Sequence, residues 1–152
     1  MTRMSAILVL LALLVPAAAH AQTQTAAPAT LVNANTATPA ELSQVPGLNA
    51  ATAKALVSRR PFASMTALDT LLGEQKLTRE QRTALYERLF VPVNLNTASD
   101  ADILLIPRLG KRMLGEFKEY RPYKAMEQFR REIGKYVDAK EVARFERYVT
   151  IN

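Results

Sequence analysis

Downstream of Leu31 the apolar residues recur three and four positions apart, and nowhere do apolar and polar residues alternate over a sustained run. That spacing puts them on one face of a helix, whereas alternation would mark a half-buried strand. The first half of this region yields four apolar stripes: Leu42 and Val45; Ala53, Leu56 and Val57; Met65, Leu68, Leu71 and Leu72; Ala84, Leu85 and Leu89. The second half yields Ile103 and Ile106; Met113, Leu114, Phe117 and Tyr120; Met126, Phe129 and Ile133; Val142, Phe145 and Val149. The pattern predicts an all-α chain of two tandem units, each of about four short helices, over residues 32–90 and 91–152. Units of about 60 residues are marginal alone. The sequence leaves open whether the two pack together or sit as beads on either side of Phe90-Val91-Pro92.

Polar residues between the stripes supply starts and stops. Thr38-Pro39-Ala40-Glu41 offers a cap, a proline suited to the first helical position and a glutamate able to return to the cap amide. Ser99-Asp100-Ala101-Asp102 stands at the same place in the second unit, with acids in the first turn, where the helix dipole favours them. Thr78-Arg79-Glu80-Gln81 and Asp138-Ala139-Lys140-Glu141 have capping-box spacing. Pro46 and Pro107 end the first helix of each unit. Arg60-Pro61-Phe62 and Arg121-Pro122-Tyr123 end the second, each with a ring expected in the core. Gly73 and Gly134 are expected to close the third.

The two halves share words as well as periods. VNANTATPAELSQVPGLNAATAKAL, residues 32–56, returns 61 residues later as VNLNTASDADILLIPRLGKRMLG. Val32 matches Val93, Asn33 matches Asn94, Asn35 matches Asn96, Thr36 matches Thr97, Pro46 matches Pro107 and Leu48 matches Leu109. One supersecondary unit used twice directs the search for function into the unit itself.

Residues 1–21 read differently. Arg3 precedes an apolar run at about residues 6–15, followed by Ala19-His20-Ala21. This is the pattern of an export signal cleaved after Ala21. Its apolar core is shorter than the roughly 20 residues a membrane span needs. A periplasmic or secreted location is therefore expected, with no stable membrane insertion after cleavage. Residues 22–31 carry no charged side chain and read as a flexible linker. Cleavage removes His20, the only histidine, and the chain has no cysteine. That excludes the usual zinc sites, histidine-activated nucleophiles and disulfides. No metal and no cofactor is expected.

Charge is mildly positive throughout, with seven Lys/Arg against five Asp/Glu over residues 31–90 and twelve against nine over 91–152. Such a balance permits a polyanionic partner without requiring one. It is concentrated at Arg108-Leu109-Gly110-Lys111-Arg112, and residues 103–115 contain no acid. Cations oppose the dipole at a helix N-terminus and become sensible if an anion docks there; a solvated charged turn is the plainer alternative. The first unit is poorer, with Asn49, Thr52 and Lys54, then Arg59 and Arg60. Most carboxylates have ordinary uses as caps or in helical pairs, such as Glu127 with Arg131 and Glu132 with Lys135. No paired acids suggest catalysis, and an enzyme is not expected.

At these residues the chain resembles the helix-hairpin-helix family, and within it the exported competence DNA receptors of the ComEA type. The opening N-x-N-T-A-T at 33–38 and E-L-x-x-V-P-G-L at 41–48 carry the likeness, which recurs in each unit. Such proteins usually have one unit, so a tandem pair is a departure. The family's hairpin is Gly-apolar-Gly. The first glycine turns the chain tightly, the apolar residue anchors the turn, and the second glycine lets amides of the next helix approach a phosphate. Each unit here keeps half of that. Gly47 and Leu48 stand before Asn49, which tolerates positive φ and has a side chain able to donate. Arg108 stands before Leu109 and Gly110. The family's second hairpin corresponds to Lys76-Leu77-Thr78 and Tyr136-Val137-Asp138, which lack glycine and read as structural.

The resemblance implies binding to double-stranded DNA without sequence preference, in DNA uptake or competence. Backbone amides of residues 48–51 and 109–112 would hold phosphates, with Thr52, Lys54, Lys111 and Arg112 adding contacts. The candidate residues are Gly47, Leu48, Asn49, Thr52, Lys54, Arg108, Leu109, Gly110, Lys111 and Arg112. The alternative is a structural or protein–protein interaction module with a protein partner in the envelope. The same fold serves so in extrinsic photosystem proteins and secretion machines, and the half-lost glycines favour that reading.

Overall fold

The computed structural model describes residues 30–151; the expected export signal and nearly all of the expected linker lie outside the described residues. The chain begins with β1 (Val32–Asn33), α1 (Pro39–Ser43), α2 (Ala50–Arg59), α3 (Met65–Glu74), α4 (Arg79–Tyr86) and β2 (Leu89–Phe90). The same order follows as β3 (Val93–Asn94), α5 (Asp100–Leu104), α6 (Lys111–Glu119), α7 (Met126–Ile133), α8 (Ala139–Glu146) and β4 (Val149–Thr150). The all-α class holds. The strands are an addition to it, and at two residues each they are too short to leave an alternating pattern. They pair in parallel, Val32 with Leu89 and Val93 with Val149, tying the start of each half to its end. No helix among the described residues is long and apolar enough to cross a membrane.

The words shared by the two halves build the fold. Asn33 Oδ1 accepts from the Asn35 amide at 2.9 Å, and the Asn35 side chain bonds both the N–H and the C=O of Phe62, at 2.7 and 2.9 Å. Asn94, Asn96 and Tyr123 repeat the arrangement at 2.9, 2.7 and 3.0 Å. Arg60 donates to the carbonyls of Ala34 and Ala37, and Arg121 to those of Leu95 and Ala98. These bonds fix the aromatic corners, which pass through cis peptide bonds at Pro61 and Pro122. Phe62 and Tyr123 are buried, as expected of core rings.

Capping follows local chemistry closely. Thr38 with Glu41, Thr78 with Gln81 and Ser99 with Asp102 form complete capping boxes. Asp138 caps α8, but the Glu141 carboxylate turns to Arg144 instead of back to the cap. Glu132 pairs with Lys135 as expected, whereas Glu127 pairs with Arg130 at 3.2 Å, one residue short of Arg131. Two stripe residues are corrected: Val57 and Ala84 are exposed, and Thr52 and Tyr86 take the inward positions.

Of the two expected glycine stops one holds and one is corrected: Gly134 caps α7, at φ −63°, whereas Gly73 lies inside α3, which runs on to Glu74. The left-handed residue after α3 is Lys76, at φ 65°. Its amide bonds Gly73 O at 2.9 Å and the Leu77 amide bonds Leu72 O at 3.2 Å, the double closure of a Schellman turn. A side chain there carries a steric penalty that glycine avoids. Lys76→Gly is expected to raise stability by about 0.5–1 kcal/mol in urea unfolding.

The halves pack together. Asp102 of α5 accepts from the Thr66 amide and hydroxyl of α3 at 2.8 and 2.5 Å, and Tyr148 donates to Tyr86 O at 3.0 Å. The Phe90 and Tyr148 rings meet edge to face at 5.8 Å, within one continuous apolar core.

Candidate nucleic-acid interface

Both hairpins make the same sharp turn by different means. Gly47 has φ 84° and Arg108, at the matching position, has φ 59°. This first position needs the left-handed backbone, so glycine holds it freely and arginine under steric penalty. Leu48 and Leu109 follow and are buried, anchoring each turn. Their amides bond Val45 O and Ile106 O, both at 3.1 Å, and so are not available to a phosphate as the sequence suggested.

The next position is where the hairpins part. Asn49 has φ −81° and Gly110 has φ −91°, so neither needs positive φ; both are helix N-caps. The Asn49 side chain accepts from the Thr52 amide at 2.8 Å, occupying an orphan donor of α2 with its own oxygen. Its oxygen acts as an acceptor toward the helix, the opposite of the donor role that its residue type also permits. Thr52 is 1% exposed, so its side chain is core and leaves the candidate interface. Arg59 pairs with Glu74 at 3.4 Å and Arg60 is held by backbone carbonyls. Lys54 alone of the first half's expected cations stays exposed and without an ion pair among the described residues.

At the second hairpin no side chain caps α6. The first-turn amides of a helix have no intrahelical acceptor. Those of α6 lie behind a glycine whose Cβ position has nothing within 4 Å. Lys111 and Arg112 occupy the first two positions of α6, are exposed, and form no ion pair among the described residues. Arg108 reaches Glu87 at 3.8 Å, with both side chains substantially exposed, so that contact is worth little in water. Sequence reasoning missed Glu87 because it lies at the end of α4, in the other half. Arg108 also faces Glu141, whose carboxyl is held below its ordinary range by the hydrogen bonds from Arg144, with charge from Arg144 and Arg108 adding to that effect.

The arrangement therefore brings together Arg108, Leu109, Gly110, Lys111 and Arg112 as an open, cationic helix start. It leaves Gly47, Leu48 and Asn49 as a closed turn, with Lys54 beside it. Uncapped amides at the positive end of a helix, beside cations that form no ion pair among the described residues, are groups able to hold an anion. A family model described as a helix-hairpin-helix motif matches residues 28–81, which includes the first hairpin. No curated protein and no solved structure matches the chain. The motif match is consistent with nucleic-acid binding in general.

Proposed function

We propose that this chain is an exported protein that binds double-stranded DNA without sequence preference and serves DNA uptake. The hairpin at residues 107–112 is its phosphate grip. The observation that carries this reading is the start of α6 at Gly110, without a side-chain cap and followed by Lys111 and Arg112, which are exposed and form no ion pair among the described residues. Amides and cations aimed at phosphates position a duplex but read no base edge, so affinity is independent of sequence. The first half supports the second as a scaffold, through the Asp102 contact and the shared core. The export part of the reading is supported by the signal-like pattern at residues 1–21.

The test is fluorescence anisotropy of the full-length chain with two unrelated labelled duplexes over a salt series. About four phosphate contacts give equal affinities and a slope of log affinity on log salt of about −3 to −4. No binding at low salt would overturn the reading. A protein-interaction module is the second reading, and the self-capped Asn49 turn favours it for the first hairpin.

A further inference from the structure

A cavity of about 770 Å³ lies between the second hairpin and α8, with Arg108 on one wall and Lys140, Ala143, Arg144 and Arg147 among the residues of the other. Arg144 is 7% exposed, and Glu141 engages it from one side, accepting from Nε at 2.8 Å and Nη2 at 2.5 Å. Its Nη1 is buried and has no acceptor among the described residues. A guanidinium always carries its charge and has five N–H donors, so leaving two of them unpaired away from water is costly. Lys140 and Arg147 flank Arg144 about one turn away on either side; both are exposed and neither forms an ion pair among the described residues. Ala143 keeps the floor between them low. The two carboxylates of the cavity are engaged, Glu141 by Arg144 and Asp138 as the cap of α8.

We infer that this groove is a second phosphate seat, in which Arg144, Lys140 and Arg147, with Arg108 opposite, hold another phosphodiester of the nucleic acid gripped at α6. The inference rests on the DNA-binding reading, since the groove opens at Arg108 within the same hairpin. An oxyanion supplies what Arg144 Nη1, Lys140 and Arg147 lack among the described residues: acceptor oxygens and a counter-charge. It does not need a base, so it extends the footprint along the backbone without adding sequence preference.

The test compares the full-length chain with Lys140→Glu plus Arg147→Glu, read by duplex anisotropy across salt. Lys76→Glu plus Lys124→Glu, outside the groove, is the charge-matched control. The groove variant is expected to lose about tenfold in affinity at about 0.1 M salt, with a slope shallower by about one, while the control loses less than about threefold. Thermal unfolding of both variants checks the fold. Affinity equal to wild type, or equal losses in groove and control variants, overturns the seat and leaves the hairpin to be judged by its own substitutions. A wild-type chain that does not bind duplex overturns the hairpin reading and the groove with it. Calorimetric titration with inorganic phosphate separates the remaining source. Heat that the groove variant abolishes, with its duplex affinity unchanged, assigns the groove to free phosphate and overturns the nucleic-acid seat.

Discussion

Lys111→Glu together with Arg112→Glu is expected to weaken duplex binding by about a hundredfold at about 0.1 M salt and to make the salt slope shallower by about two. Both side chains stand in the first turn of α6, exposed and without an ion pair among the described residues, so their charge is free for a ligand. Each neutralised phosphate releases counterions, and removing two such contacts removes two increments of that release. The substitution also separates binding from folding. Glutamates at a helix N-terminus interact favourably with the dipole, so the thermal midpoint should hold or rise while affinity collapses. A fall in both would point to damage to the fold. Lys54→Glu, beside the self-capped first hairpin, is expected to cost less than about threefold in the same assay. Equal affinity of the double variant and wild type would show that α6 does not carry the grip.

What was legible in the chain was local. Capping residues act within four positions of themselves, and Thr38, Thr78, Ser99 and Asp138 all cap where their spacing places them. The need for a left-handed residue at the first hairpin position was also legible, and Gly47 and Arg108 both meet it. The difference between the hairpins was not, because Asn49 and Gly110 look like interchangeable turn residues. Only the φ values show that both are N-caps, and at a cap the asparagine oxygen competes with an anion where glycine cannot. Thr52 misled because a threonine one turn before Leu56 lies on the same helical face, and that face is inward. The repeated asparagines carried the family resemblance, yet their bonds to Phe62 and Tyr123 make them determinants of fold. Glu87 and the groove on α8 could not be found from spacing, since they meet the hairpin only through the packing of distant helices.

Asp102→Asn is expected to lower stability by about 2–3 kcal/mol at neutral pH, with a deficit that narrows under acid. In sequence this residue is a capping-box acid, and it does bond Ser99 Oγ at 2.6 Å. Its other oxygen crosses to the first half and accepts from the Thr66 amide and hydroxyl. The helix it reaches, α3, has no acidic residue of its own in the first turn, so α5 supplies the charge that the α3 dipole favours. Burial pushes the Asp102 carboxyl up, but the hydrogen bonds from Ser99, Thr66 and Ser64 together outweigh it, leaving the group below its ordinary value. A carboxyl depressed in the folded state contributes stability that is complete above the unfolded value, about 3.9, and is lost as pH falls through the lower folded value. Asparagine does not titrate, so the gap between wild type and variant in urea unfolding should be constant above about pH 5 and close progressively below about pH 3.9. A gap that persists unchanged to pH 2 would mean that the carboxylate's charge is not what joins the halves. The same contact sets where α5 and the hairpin after it stand relative to α3. Loss of the Asp102 charge should therefore also reduce duplex affinity, although Asp102 is buried and touches no phosphate in the proposed complex.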